Sequence, residues 1–204
     1  MAVPKAQLAK DKPTLQELVI KTTTVEVEGS SFLLSNRKPE VLKNDPTLTV
    51  EEIVERARYR LNPERDGCTD GTPAAGFTNA IISAARQLPG APSMTALRGA
   101  FFVIGGADGL VPIRASEPII RVDGGNNPNK RGAAITIWRP CYSPWSCEFR
   151  VDFNAGVLSW QDLLSLINAA GFCVGVGDAR PEKCPGIAAG RFRVVRATPA
   201  EDIT

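Results

Sequence analysis

From Val19 to Glu28 the chain runs through three threonines into the alternation Val25, Glu26, Val27, Glu28. This is the period-two pattern of a half-buried strand, which Gly29 and Ser30 end. Ser31 to Leu34 reads as the continuation of a hairpin. Between Asn36 and Asp70 charged positions of both signs dominate, broken by Pro39, Pro46 and Pro63. Inside that stretch Thr49 to Tyr59 carries helix signals, with Glu51 and Glu52 in the first turn and Arg56 and Arg58 in the last. The whole stretch reads as an insertion or surface excursion, its charge run a solvated face rather than a binding patch. Asp70 to Phe77 is a turn feeding a helix to Arg86, where Ala80, Ala84 and Ala85 interleave with Phe77 and Ile81. After Pro89, Gly90 and Pro92 the pattern turns to strands over Gly99–Ile104, Val111–Ile113, Pro118–Val122, Ala133–Trp138 and Cys147–Phe153. In the last, Phe149, Val151 and Phe153 face one way and Glu148, Arg150 and Asp152 the other.

The C-terminal unit is the most regular. Ser159 caps a helix with Asp162 three positions on, and Trp160, Leu163, Leu164 and Ile167 form its apolar face before Gly171. Phe172–Val176 and Arg191–Arg196 read as strands around a turn-rich loop. Strand, helix and strand make one β-α-β unit, and helix 77–86 supplies a second helix on the same sheet. The expectation is an α+β, ferredoxin-like fold, an antiparallel sheet with helices on one face and inserted loops. The domain plan is a loose arm at 1–14, a single domain at 15–197 with insertions near 36–70 and 123–132, and a tail at 198–204.

Composition narrows the function. A chain of 204 residues, 43% hydrophobic and 23% charged, is suited to one sizeable core and excludes a disordered, collagenous or coiled-coil protein. No window approaches about eighteen consecutive apolar residues, and no apolar run follows the N-terminal lysines. The sequence therefore predicts no membrane span, no signal peptide, and a soluble protein. The absence of histidine removes the commonest general base and zinc ligand and lowers the expectation of an enzyme. Five cysteines at 68, 141, 147, 173 and 184 read as reduced thiols, since their gaps fit no zinc knuckle. No cofactor and no metal are expected. A net charge of +2 leaves a nucleic-acid partner open, so the distribution of charge matters more than its sum.

The segment from Gly175 to Arg193 concentrates candidate chemistry. Gly175, Gly177 and Gly190 let the main chain approach a ligand, while Arg180, Lys183, Arg191 and Arg193 can neutralise phosphates. It matches neither a nucleotide-hydrolase P-loop nor a dinucleotide fingerprint. The alternative is structural: glycines serving tight turns and Arg180 pairing with Glu182 to brace the loop. Both readings stand at this level. The polar loop 123–132 is either a hairpin connection or a basic finger carrying Lys130 and Arg131. Of the tryptophans, Trp160 and Trp138 read as core, whereas Trp145, between Pro144 and Ser146, has the best prospect of exposure.

Two resemblances rest on these residues. Arg98-Gly99-Ala100-Phe101, the run Asn168 to Lys183, and Gly190-Arg191-Phe192 resemble motifs of a family of uncharacterised bacteriophage proteins. With Pro73 to Ala85 the likeness covers roughly residues 58–196. It departs from that pattern at Asp178-Ala179, where the family carries a tryptophan. The layout also resembles the RAMP superfamily of CRISPR RNA-binding subunits, especially the backbone type that polymerises along guide RNA. The carriers of that likeness are Pro73-Ala74-Ala75-Gly76 with Arg86, and the loop Gly175 to Gly190. It implies an RRM-like or RAMP-type fold and an RNA partner.

Three function classes follow. The leading one is a non-enzymatic phage protein of the host cytoplasm that holds RNA or single-stranded DNA by its backbone, as a homo-oligomer whose arm reaches the next copy. The second is a virion structural or assembly protein whose loops and arm make subunit contacts. The third is a nuclease using Asp66, Asp70, Asp108 and Asp123 as Mg²⁺ ligands, weakened because none forms a spaced pair.

Overall fold

Two strands with opposite polarity on their two faces found the fold. In β1 (Ile20–Gly29) Thr23, Val25 and Val27 are buried, with the intervening residues on the other face. Much later, in the strand Trp145–Asn154, every second residue from Trp145 to Phe153 is buried. The two pair antiparallel with Val25 opposite Phe149, so both apolar faces lie on one side.

A computed structural model describes residues 18–37, 47–126 and 134–203. The expected arm 1–14 and the basic finger with Lys130 and Arg131 lie outside the described residues. In chain order β2 (Leu33–Leu34) follows β1, then α1 (Val50–Arg56), β3 (Arg60–Arg65), β4 (Cys68–Pro73) and α2 (Ala74–Ala84), which a 3-10 turn extends over Ala85–Gln87. Next come α3 (Met94–Leu97), β5 (Phe101–Ile104), β6 (Leu110–Pro112), β7 (Arg114–Ala115), β8 (Ile119–Asn126) and β9 (Ala134–Tyr142). The chain closes with β10 (Trp145–Asn154), α4 (Trp160–Ala169), β11 (Phe192–Ala197) and β12 (Glu201–Asp202).

The main sheet has the order β11-β1-β10-β5, every neighbouring pair antiparallel. Helix α2 lies on the path from β1 to β5 and α4 on that from β10 to β11, and the two helices pack together over the core. Smaller three-stranded sheets, β2-β9-β8 and β3-β4-β6, flank it. The core is centred on Phe77 of α2, whose ring centroid is 4.6 Å from Phe149 and 5.5 Å from Phe192. One side chain thus joins α2 to two strands that are not themselves neighbours.

Several expectations are corrected. Ser31–Leu34 does not continue a hairpin: Leu33 and Leu34 pair with Tyr142 and Cys141 of β9. Phe172–Val176 is not a strand, because α4 runs on into a π-turn over Ala170–Val174 that ends at Gly175, with φ 72°. Gly171 does not stop the helix; it sits inside that turn, where a Cβ would collide with the Phe192 carbonyl. Trp145 is buried, its indole N–H donating to the Ser31 carbonyl at 2.7 Å, while Trp138 and Trp160 are half-buried. Residues read as a tail instead return to the sheet, Glu201 opposite Thr22 and Asp202 opposite Lys21. Arg58, expected on a solvated face, is buried and makes a two-point contact with buried Asp70 at 2.6 and 3.1 Å. The helix ahead of it begins as expected, with a capping box between Thr49 and Glu52.

Phe77→Ala is expected to cost about 3–5 kcal/mol in chemical denaturation. Phe102→Ala, on the helix-free face and 55% exposed, should stay within about 0.5 kcal/mol of wild type.

Candidate nucleic-acid interface

The loop from Gly175 to Gly190 is shaped by its main chain. Gly175, Gly177 and Gly190 have φ of 72°, 75° and 68°, the left-handed region that side chains disfavour. None has space for a Cβ. At Gly175 it would lie 2.7 Å from Pro181 Cδ, at Gly177 2.5 Å from the Leu34 carbonyl oxygen, and at Gly190 it would overlap the Val176 carbonyl. The Gly175 N–H donates to Ala170 at 2.8 Å and the Gly190 N–H to Phe32 at 2.7 Å. The expectation that these two amides reach a ligand is therefore corrected: they are committed inside the fold.

Asp178 fastens the loop to the β2-β9-β8 sheet. Its carboxylate accepts from Asn36 Nδ2 at 2.8 Å, Arg139 Nη1 at 2.9 Å and the Ala179 N–H at 2.9 Å. Burial would raise its pKa, but these donors hold it below the usual aspartate range. Asp123, bonded to Arg121 and Arg139, is likewise held low, with the Arg121 hydrogen bond the largest influence.

The cationic side chains do not form one patch. Arg180 sits at 3.3 Å from Glu182, which lies 4.0 Å from Arg86 of the turn after α2. Lys183 is exposed and its side chain forms no ion pair with any described residue. Arg191 carries its guanidinium 4.7 Å from the centre of the Phe172 ring. Arg193 is on the helix-free face of the sheet, 2.8 Å from Glu28. That face neutralises itself: Arg196 meets Glu26 and Glu148, Arg114 meets Glu26, and Arg150 meets Asp152.

Of the described candidates, only Gly177 and Arg180 line a cleft, a cavity of about 260 Å³ between the loop and α2. Its opposite wall is the stripe Gly76, Asn79 and Ser83, and Asn36 contributes from beyond β2. Residues 76, 79 and 83 share one helix face, while Phe77, Ala80, Ile81 and Ala84 bury the other. Sequence reasoning missed Asn79, Ser83 and Asn36. The available signal was two polar residues in phase with Gly76 on an otherwise apolar helix. The Arg180–Glu182 pair is partly exposed, and such pairs contribute only about 0–1 kcal/mol. A phosphate oxygen can therefore exchange with Glu182 for the guanidinium at small cost.

Three of the four carboxylates considered for a nuclease face cations: Asp70 meets Arg58, Asp108 meets Arg65 at 2.8 Å, and Asp123 meets Arg121 and Arg139. Among the described residues no group of three or more His, Cys, Asp or Glu side chains could hold a metal ion. The five cysteines are unpaired. No helix among the described residues is long and apolar enough to cross a membrane.

Because the folded pKa of Asp178 is depressed, its stabilising contribution is fully present above about pH 4, the unfolded aspartate value. It is lost as pH falls through the lower folded value. Asp178→Asn should be less stable than wild type at pH 7, and thermal melts should converge as the pH drops below about 4.

No protein-family model matches this chain, and no curated protein matches it. It is similar in structure to a chain in a cryo-electron-microscopy structure of the Type III-B Cmr-beta bound to cognate target RNA, at 12% identity and a TM-score of 0.49. The likeness covers 91% of this chain and 61% of the other, so this chain spans less than two thirds of that one's length.

Proposed function

We propose that this protein is a non-enzymatic binder of RNA or single-stranded DNA, built on a ferredoxin-like fold, that holds the phosphate backbone in the cleft between α2 and the glycine-rich loop. The fold reading is supported by the path β1, α2, β5, β10, α4, β11 with its spatial order β11-β1-β10-β5. The observation that carries the function is Arg180 lining the same cleft as Gly76, Asn79 and Ser83. A guanidinium, two neutral hydrogen-bonding side chains and one wall residue without a Cβ, Gly76, suit a phosphodiester, which presents acceptor oxygens and demands close approach; the carboxylates that also line the cleft, Asp178 and Glu182, are each paired with an arginine. Exposed Lys183, next in sequence to Glu182 of the cleft lining, adds a positive charge. The shallow electrostatics favour sequence-tolerant, salt-sensitive binding rather than base readout. Self-association along the strand and a phage setting agree with the two resemblances of the sequence and belong to the same proposal.

A second reading, an assembly protein whose copies contact one another, is favoured by one observation. Strand β8 pairs only with β9 among the described residues and carries Ile119 at 68% and Val122 at 59% exposure.

Arg180→Ala with Lys183→Ala should weaken binding of a labelled single-stranded oligonucleotide in fluorescence anisotropy. Each lost phosphate contact should make the log–log salt slope shallower by about 0.7. Unchanged affinity and slope would remove the cleft from the binding surface. Size-exclusion chromatography with absorbance at 260 and 280 nm separates the two readings. Co-purifying nucleic acid that nuclease and high salt strip away supports the binder, and a nucleic-acid-free assembly that survives them supports the second.

A further inference from the structure

The π-turn after α4 presents an aromatic side chain that folding does not use. Phe172 is 67% exposed and belongs to none of the three hydrophobic clusters, although its neighbours Gly171 and Val174 are buried. An α-helix that simply ended here would need no aromatic residue at this position. The π-turn closes the C-terminus of α4 at Gly175 and leaves Phe172 on its outer side.

The partner of Phe172 is equally unusual. The Arg191 guanidinium stacks over the ring at 4.7 Å, and Arg191 forms no ion pair with any described residue. Its Nε is shielded from solvent and has no hydrogen-bond partner. Arg193 and Arg196, on the strand that follows, both have carboxylate partners, so Arg191 stands apart. Both members of the pair are fixed by main chain. Gly171 lies against the Phe192 carbonyl too closely for any Cβ, and the Arg191 N–H donates to Ser31 Oγ at 2.9 Å. The pair thus sets a guanidinium with no carboxylate partner among the described residues over one face of an exposed ring, on a main chain anchored at both residues.

We propose that Phe172 and Arg191 form a stacking platform for an unpaired nucleobase, Phe172 receiving the base and Arg191 the flanking phosphate. This rests on the reading that the cleft holds the backbone of a single strand, and it adds a ligand contact that discriminates strands with accessible bases from those without. Every base has a π-face, so the platform is indifferent to sequence but rejects a duplex, whose bases are already stacked. A nucleotide supplies both a flat ring and an anion. A purely apolar protein partner would cover Phe172 and leave the arginine charge unanswered.

The test compares a short single-stranded oligothymidylate with an abasic strand of equal length and charge, using fluorescence anisotropy at fixed salt. The proteins are wild type, Phe172→Ala, Phe172→Trp and Arg180→Ala, with folding checked by circular dichroism. Phe172→Ala should bind the base-bearing strand about tenfold more weakly and the abasic strand unchanged. Phe172→Trp should restore the loss. Equal affinities of Phe172→Ala and wild type on both strands, or an equal loss on both, overturn the platform. If Arg180→Ala then weakens both strands alike, the cleft reading survives alone. If wild type binds neither strand, the cleft reading fails and the platform with it. A change in oligomeric mass on Phe172→Ala, without a base-dependent loss, assigns the ring to a protein contact and also overturns the proposal.

Discussion

The arrangement depends on how closely main chain can approach main chain where the C-terminal loop crosses the rest of the molecule. Gly177 lies against the Leu34 carbonyl, Gly190 against that of Val176, and Gly171 against that of Phe192. At each, a single methylene would force two segments apart. This proximity permits main-chain hydrogen bonds, Asp178 N–H to Leu34 and Gly190 N–H to Phe32, which fasten the loop to β2 and through it to β9. Main sheet and β2-β9-β8 sheet therefore behave as one piece, and Arg180 is held by the same frame that positions the wall opposite it.

Charge in this protein is mostly balanced locally. Most arginines on the helix-free sheet face and around α1 meet carboxylates, and the buried Arg58 is held by Asp70 and Glu117 with its protonated form strongly favoured despite burial. An overall charge of +2 thus hides strong contrast. Binding of an anion at Arg180 is an exchange of partners, whereas at Lys183 and Arg191 it is a simple addition. Helix α2 couples the site to the core, because the phase that buries Phe77 and Ile81 turns Asn79 and Ser83 toward the cleft. A disturbance of the aromatic cluster would rotate or shift one wall of the site.

What the sequence made legible follows from locality. Strands β1 and β10 alternate cleanly because each buries one face only, and α4 announces itself through Ser159 and Asp162, whose capping contacts span three residues. The π-turn was hidden because Phe172 to Val176 is an apolar run of strand length, and the feature that keeps it helical is a tertiary contact at Gly171. Trp145 was misjudged because its partner, the Ser31 carbonyl, lies far away in sequence. The loop's importance was visible in its glycines and arginines, but the glycines answer to packing. The cleft needed α2 beside the loop, and no local pattern reports that adjacency.

Strand β1 pairs with β10 on one edge and with β11 and β12 on the other, so among the described residues all of its strand partners are made more than a hundred residues later. A nascent chain emerging from the ribosome would carry Val25 and Val27 unpaired until β10 and β11 had been synthesised. Such non-local pairing slows folding and prolongs exposure of an apolar strand. Production of this protein would therefore respond more to translation rate and chaperone supply than its final stability would suggest.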